Sequence, residues 1–203
     1  MSCGRAVKDR FLEVMMIRLD AIKIIADKAK KDGSLLISNI GIPSKEVYYS
    51  CDTQRNFYML GSMGLASSIG LGLSLAKPQR HVITIEGDGS MLMNLGSLAT
   101  IASQHPGNYL LIIIDNGTYG STGDEPTATS LYTDLAAMAK GAGIREVYTS
   151  YTQEGLIRLL ENVKSGVIVV KVQPGNAEMP VINMFPEAIM QRFMAEISDN
   201  TGL

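Results

Sequence analysis

The chain has 203 residues, of which 46% are hydrophobic and 19% charged, and this length and composition fit one α/β domain with a buried core. Eighteen Lys and Arg residues against twenty Asp and Glu residues leave a net charge of −2, so no basic surface for nucleic acid or an anionic membrane is expected. No apolar run approaches the roughly 18 residues that span a bilayer, and the charged N-terminus does not resemble a secretory signal. Two cysteines, Cys3 and Cys51, form neither a disulfide framework nor a zinc site and are typical of a reducing cytoplasm.

The chain alternates between helical and extended patterns. Residues 1–17 carry no clear pattern and are predicted to be an N-terminal extension, and residues 18–203 are predicted to form a single domain. Strands that alternate with helices predict a doubly wound, mostly parallel sheet with helices on both faces. Helices are predicted at 18–31, 44–49, 63–76, 91–104, 132–140, 152–164 and 186–198, and strands at 34–38, 57–60, 82–85, 109–114, 144–149 and 167–172. Ser44 is expected to cap the second of these helices.

The strongest functional signal lies between residues 82 and 120. The strand at 82–85 leads into a Gly-Asp-Gly sequence at 87–89, and the strand at 109–114 leads into an Asp-Asn pair at 115–116. With a helix between them, the two strands form a right-handed βαβ unit and lie parallel. Both polar loops therefore leave the carboxyl ends of their strands, where open α/β sheets bind ligands.

These two loops predict a site for a magnesium ion and a diphosphate. Asp88 and Asn116 each offer a hard oxygen atom, and the backbone carbonyl of Thr118 adds a third. Gly87 and Gly89 allow the backbone to approach a ligand closely, and the amide groups that open the next helix suit a phosphate. A Gly-Asp-Gly sequence alone is weak evidence, because Asp-Gly pairs are common in turns.

The spacing of the two loops raises the specificity of this signal. Twenty-five residues separate Gly89 from Asp115, and this arrangement resembles the motif of thiamine-diphosphate enzymes, in which Gly-Asp-Gly is followed by Asn-Asn. In that family the second Asn is a metal ligand. Asn116 keeps this role, although Asp115 replaces the first Asn. The resemblance implies thiamine diphosphate and Mg²⁺ as cofactors, with Asp88, Asn116 and Thr118 as the metal ligands.

Two upstream segments extend the resemblance. Met63 stands 25 residues before Asp88, where the family places a large apolar residue that wedges between the two rings of the cofactor. The resemblance implies that the Gly61 carbonyl accepts the cofactor amino group and that Asn39 touches the diphosphate. Alternatively, Met63 fills core space and Asn39 serves a turn or a helix cap. The predicted cofactor-binding residues are Asn39, Gly61, Met63, Gly87, Asp88, Gly89, Ser90, Asn116, Thr118, Tyr119 and Gly120.

The resemblance also implies a partner. Enzymes of this family need a second module, which supplies a glutamate to the aminopyrimidine ring, and two modules require roughly 350 residues. A chain of 203 residues has room for one, so an α subunit with the pyrimidine-binding module is expected in a hetero-oligomer. The segments at 39–48, 57–64 and 186–194 are similar to two-subunit 2-oxoacid decarboxylases of the family, which implies a lyase that converts 3-sulfopyruvate to sulfoacetaldehyde and CO₂ in coenzyme M synthesis.

Other functions stay open at this point. Phosphonopyruvate is an alternative small anionic substrate, and another thiamine-diphosphate enzyme subunit is possible, although an oxidoreductase β chain with iron–sulfur centres is disfavoured by the lack of cysteine clusters. A non-catalytic nucleotide-binding module is an alternative of a different class. The polar segment 120–130 is interpreted either as a loop that closes over a substrate or as a solvated connection.

Overall fold

The computed structural model describes residues 15–198. Among these residues, none of the helices has both the length and the apolar character that a bilayer-spanning segment needs. In chain order the elements are α1 (Arg18–Asp32), β1 (Leu35–Ser38), α2 (Ile42–Cys51), β2 (Asn56–Tyr58), α3 (Ala66–Ala76), β3 (Val82–Gly87), α4 (Asp88–Met93), α5 (Gly96–Gln104), β4 (Tyr109–Asp115), β5 (Thr118–Tyr119), β6 (Glu125–Pro126), α6 (Leu135–Gly141), β7 (Val147–Ser150), α7 (Gln153–Asn162), β8 (Gly166–Lys171) and α8 (Pro186–Ser198).

Six strands form one parallel sheet in the order β2-β1-β3-β4-β8-β7, and β5 and β6 form a separate antiparallel hairpin. The main sheet confirms the predicted doubly wound, mostly parallel fold class. Its central strands are buried on both faces, as expected when helices cover each side. The carboxyl ends of β1, β3 and β4 therefore lie side by side at one edge, where ligands bind in such sheets.

Two apolar layers enclose the sheet. Successive side chains of a strand point to opposite faces, so alternate residues of β4 enter different clusters: Ile112 packs with α1, α2 and α7, while Ile113 packs with α3, α5 and α6. Helix α8 contributes to both clusters through Ile189 and Phe193. The Phe193 ring lies 5.4 Å from that of Phe57 in β2, so α8 covers this edge strand of the sheet.

Several boundaries differ from the predictions. Helix α3 begins at Ala66 rather than at Met63, because Ser62 and Gly64 have positive φ angles of 59° and 90° that a helix cannot contain. The helix predicted at 91–104 is two helices, since the backbone leaves the helical conformation at Asn94, with φ −141°. Met63 therefore lies on a loop, next to the cleft described below.

Helix α2 also starts earlier than predicted. Its N-cap is Gly41 and not Ser44, and Pro43 occupies an early position that suits proline. The Ser44 hydroxyl instead donates to the Asn39 carbonyl at 2.6 Å, which holds the turn after β1. The predicted cap was wrong because Gly41 makes the turn before the helix, and Ser44, already within the helix, donates back to that turn.

The start of the domain lies before residue 18. Met16 is buried in the core, and its carbonyl accepts a hydrogen bond from the Gln173 amide at 3.0 Å. The predicted boundary after residue 17 therefore moves towards the N-terminus. Residues 1–14 of the predicted extension and residues 199–203 lie outside the described residues.

Charged contacts add to the attachment of α8. Arg192 donates to both oxygens of Asp52, at 2.5 and 2.8 Å, and its guanidinium lies 5.5 Å from the centre of the Tyr58 ring. Burial alone would raise the pKa of Asp52, but the hydrogen bonds from Arg192 and Tyr58 lower it below the ordinary value of 3.8. The Asp52 carboxylate therefore stabilises the folded chain in its ionised form.

We predict that Arg192→Met lowers the Tm by about 1–3 °C at pH 6, because it removes the ion pair with Asp52. The loss is small because the pair is partly exposed and solvent screens it. The folded pKa of Asp52 is lowered, so the contribution of the pair is complete above the unfolded pKa of about 3.9 and fades as the pH falls through the folded value. Thermal unfolding at pH 6 and below pH 4 measures this. Arg158→Met, on the exposed face of α7, is the control; a Tm loss that is the same at both pH values would contradict the role of Asp52.

Candidate active site

A cleft of about 580 Å³, which includes its open mouth, lies at the carboxyl edge of the sheet. It brings together residues that follow β1, β3 and β4, as expected because the carboxyl ends of these strands lie side by side. Of the predicted site residues, Gly61 lies outside the lining, on the exposed loop that carries Met63. The others line the cleft: Asn39, Met63, Gly87, Asp88, Gly89, Ser90, Asn116, Thr118, Tyr119 and Gly120.

The pairing of β3 with β4 sets the spacing of the polar loops. Gly87 pairs with Ile114, so the next residues along the chain, Asp88 at the start of α4 and Asp115 at the end of β4, lie side by side. The Thr129 hydroxyl bridges them, at 2.9 Å from Asp88 Oδ2 and 2.8 Å from Asp115 Oδ1. Thr127 also donates to Asp88 Oδ2, at 2.5 Å. Both threonine hydroxyls contact the same oxygen, so the orientation of the Asp88 carboxylate is fixed before any ligand binds.

The negative charge of Asp115 is neutralised by a lysine of the neighbouring strand β8. Lys171, the last residue of β8, lies 2.5 Å from Asp115 Oδ2, and the Asp115 carboxylate is almost fully buried. The amide of Gly117 donates to the other oxygen at 3.2 Å. A buried carboxylate without a partner is costly, so Lys171 explains how an aspartate is accommodated at the first position of the Asp-Asn pair.

Asn116 and Thr118 form a tight turn. Asn116 Oδ1 accepts from the Thr118 amide at 3.3 Å, and its Nδ2 donates to the Thr118 hydroxyl at 3.1 Å. Thr118 pairs with Pro126 across the β5–β6 hairpin, and proline has no N–H to donate to the Thr118 carbonyl. The turn therefore keeps oxygen atoms of both residues at the cleft.

The hairpin covers the start of α4 closely. A Cβ atom added at Gly89 would collide with the ring of Tyr119, so only glycine allows this approach. The segment 120–130, interpreted as a lid or a connection, contains strand β6 and a short 3-10 helix, and Thr127 and Thr129 attach it to Asp88.

Two buried polar side chains adjoin the cleft: Asn39 lines it, and Glu86 lies in β3, two residues before Asp88. Asn39 Oδ1 is buried without a hydrogen-bond partner among the described residues. The Glu86 carboxylate is fully buried, and its Oε1 accepts from the Ser67 amide at 3.0 Å, while its Oε2 accepts from the Ser90 hydroxyl. Burial raises the pKa of Glu86, and the hydrogen bonds from Ser90 and Ser67 oppose that shift.

Among the cleft residues that were not predicted, two make polar contacts that join distant parts of the chain. Arg18 binds both oxygens of Glu46, at 2.9 and 3.1 Å, and also donates to Asn176 Oδ1 at 3.0 Å. Asn176 in turn donates to the Gly120 carbonyl at 2.6 Å. Asn176 follows β8, so its position at the carboxyl edge of the sheet could have been predicted from the sequence. The position of Arg18 could not, because it depends on contacts with residues 28 and 158 positions away in sequence.

The cleft provides little positive charge for an anion. Arg18 is its only lysine or arginine among the described residues, and Glu46 neutralises it. Burial raises the pKa of Asp88; the hydrogen bond from Thr127 opposes this shift, and the negative charge of Asp115 adds to it. Within residues 15–198, no group of three or more His, Cys, Asp or Glu side chains is placed to hold a metal. A cation at Asp88 would therefore need oxygen atoms from a ligand as well as from the protein.

The fold and the cleft define a class of enzyme. Residues 40–172 match the family described as "Thiamine pyrophosphate enzyme, C-terminal TPP binding domain". The solved structure of benzoylformate decarboxylase from Polynucleobacter necessarius superimposes with a TM-score of 0.60 over 81% of this chain and 34% of that chain; at 17% identity, this likeness concerns the fold. The chain belongs to the thiamine pyrophosphate enzyme family.

Individual relatives indicate which branch of the family the chain belongs to. The chain is 49% identical to the sulfopyruvate decarboxylase subunit beta of Methanocaldococcus jannaschii, over 89% of this chain and 96% of that subunit. It is 33% identical to phosphonopyruvate decarboxylase of Streptomyces viridochromogenes, over 89% of this chain but 46% of that protein. Within the thiamine pyrophosphate enzymes, the chain therefore belongs with the sulfopyruvate decarboxylase β subunits.

We predict that Lys171→Met lowers the free energy of unfolding by about 1–3 kcal/mol, because it leaves the Asp115 carboxylate buried without its partner. Adding Asp115→Asn to the same chain recovers most of this loss, since the charge disappears with the partner. Urea denaturation of the two variants measures the effect. Lys164→Met, which removes an exposed pair with Asp32, is the matched control and costs less than about 1 kcal/mol. Equal losses in Lys171→Met and the double variant would contradict this account of Asp115.

Proposed function

We propose that the chain is the diphosphate-binding subunit of a two-subunit decarboxylase that uses thiamine diphosphate and Mg²⁺ to convert 3-sulfopyruvate to sulfoacetaldehyde and CO₂, a step of coenzyme M synthesis. The observation that carries the proposal is the convergence of Asp88 and Asn116 in one cleft, at the ends of two adjacent parallel strands. The 49% identity to a sulfopyruvate decarboxylase β subunit supports the choice of substrate.

The residues of the cleft fit the cofactor pair. A diphosphate is strongly anionic, and a cleft whose single guanidinium is already paired needs a divalent cation to hold it. Asp88, Asn116 and the Thr118 carbonyl are hard oxygen donors of the kind that Mg²⁺ prefers, and phosphate oxygens and water would complete its shell. Asp88 Oδ2 is held by the two threonines, so Oδ1 is the oxygen that faces a metal most freely.

The remaining residues would hold the organic part of the cofactor. Gly89 and Ser90 would line the diphosphate through backbone amides, together with Tyr119 and Gly120. Asn39 Oδ1 is a buried acceptor, so it suits a water molecule or an N–H group of the ligand better than a phosphate oxygen. Met63 at the mouth would support the rings, with the Gly61 carbonyl beside them on the same loop.

When bound, thiamine diphosphate supplies a nucleophilic carbon that attacks the keto group and an electron sink for the loss of CO₂. The role of this chain is to bind and orient the cofactor. None of its described cleft residues is assigned to proton transfer, because the activating glutamate is expected on the α subunit.

The proposed α subunit covers the exposed mouth of the cleft. Several large apolar side chains are exposed beside Met63, and a contiguous apolar surface of this kind indicates a protein interface. The position of a Cβ atom at Gly64 lies 3.1 Å from Met93 Cβ, so the Met63 loop and α4 form one surface. The exposed side chains are Leu60, Met63, Leu65, Ile69 and Met93.

We expect Asp88→Asn to weaken Mg²⁺-dependent binding of thiamine diphosphate by at least about tenfold, because it removes the one carboxylate proposed to hold the ion. Isothermal titration of the copurified complex, with Mg²⁺ and with EDTA, measures this. Asp27→Asn on the exposed face of α1 is the matched control and leaves the Kd unchanged. Binding that is indifferent to Mg²⁺ and to Asp88→Asn would favour a nucleotide-binding module instead.

Turnover tests the partner and the substrate. The isolated chain is expected to release no CO₂ from 3-sulfopyruvate, whereas the complex with its copurified partner does so with thiamine diphosphate and Mg²⁺ present. The same complex turns over phosphonopyruvate with a kcat/KM at least about tenfold lower, as expected if the site distinguishes the two anions by about 1.4 kcal/mol. Decarboxylation by the isolated chain would overturn the two-subunit proposal, and preference for phosphonopyruvate would overturn the substrate.

A further inference from the structure

Glu86 is a buried carboxylate that the proposed function does not use. It lies in β3, two residues before Asp88, and none of its surface is exposed to solvent. Burying a carboxylate is costly unless hydrogen-bond donors surround it. The groups that donate to Glu86 come from separate segments of the chain, and each of these segments lines the cleft or leads into it.

The first group of donors is the start of helix α3. The first N–H groups of a helix have no partner within the helix, and the N-cap residue of α3, Leu65, provides no side-chain cap. Glu86 Oε1 accepts from the Ser67 amide at 3.0 Å, and the carboxylate also bonds to the Ala66 amide. The Glu86 carboxylate, from the neighbouring strand β3, therefore caps α3. Its negative charge lies at the N-terminal end of the helix, where the helix dipole favours it.

The second donor is Ser90, in the first turn of α4. Its hydroxyl donates to Glu86 Oε2 and accepts from the Gly64 amide at 3.0 Å. Asn94 donates to the Gly64 carbonyl at 2.9 Å, so both backbone groups of Gly64 are held by the segment that follows Asp88. Gly64 has a φ of 90°, and a Cβ there would lie 2.7 Å from the Ser90 carbonyl oxygen.

The Met63 loop needs this support. Ser62 has a φ of 59°, which is unfavourable for a residue other than glycine. Such a conformation persists when surrounding contacts determine it, and here those contacts are the bonds of Gly64 and the capped start of α3. The third donor, the Asn39 side chain, links Glu86 to the turn after β1.

We propose that Glu86 is a positioning residue for cofactor binding, which fixes the Asn39 turn, the Met63 loop and the Ser90 segment relative to one another. The inference rests on the proposed function, because its consequence is a cleft that is arranged before thiamine diphosphate arrives. Binding to an arranged cleft avoids the cost of ordering three loops. A glutamine keeps the shape of Glu86 but removes its negative charge and replaces one accepting oxygen with an NH₂ donor, so at least one of these hydrogen bonds must reverse or break.

The test compares variants in the copurified complex, with thiamine diphosphate and Mg²⁺ as the probe. Glu86→Gln is expected to raise the cofactor Kd about tenfold or more and to speed amide hydrogen exchange in residues 60–70. Leu160→Ala, in the core beneath the opposite face of the sheet, controls for stability: it lowers the Tm but leaves the Kd unchanged. Ser90→Ala cuts the link between Glu86 and Gly64 alone, and combined with Glu86→Gln it is expected to add less than the sum of the single effects.

The outcomes separate the two proposals. If the unaltered complex does not bind the cofactor, the proposed function fails and this inference fails with it. If it binds and Glu86→Gln lowers the Tm but binds the cofactor with an unchanged Kd, as Leu160→Ala is expected to do, Glu86 is a structural cap and only this inference is overturned. If Glu86→Gln does not fold, Ser90→Ala decides: an unchanged Kd and unchanged exchange in residues 60–70 would overturn the positioning role.

Discussion

The parallel pairing of β3 with β4 is the constraint on which the site depends. The register places Gly87 opposite Ile114, so the residues that follow each strand emerge next to one another. A shift by one residue would turn every side chain of the shifted strand to the opposite face and would separate Asp88 from the Asp115–Asn116 loop. Both strands are buried against helices on each side, and Glu86, a buried polar residue of β3, needs polar partners that a shifted strand would lose.

Much of this arrangement was predictable from the sequence. The strands, the parallel fold and the meeting of the loops after β3 and β4 follow from local apolar runs and from the spacing of Asp88 and Asn116. The start of α3 was not predictable in the same way, because the residues after Met63 have good helical composition and the departure from helix depends on bonds of Gly64 to Ser90 and Asn94. Local patterns do not report contacts between segments 26 or 30 residues apart.

The polar support of Asp88 was missed for the same reason. Thr129 lies 41 residues from Asp88, in a segment whose composition is typical of a solvated loop. Asp115 was recognised as a departure from the family motif, but its compensation by Lys171, 56 residues later, becomes visible only when β8 is placed beside β4. Where one residue of a buried pair changes, its partner across the sheet must suit the new charge.

The β5–β6 hairpin is held at both of its ends. At one end Gly120 is bonded to Asn176, and at the other Thr127 and Thr129 hold the Asp88 carboxylate. Swinging the hairpin outward would release the group proposed to carry the cation. Binding of the proposed cation and closure of this flap would thus be thermodynamically linked, so that whatever retains the ion would also favour the closed flap.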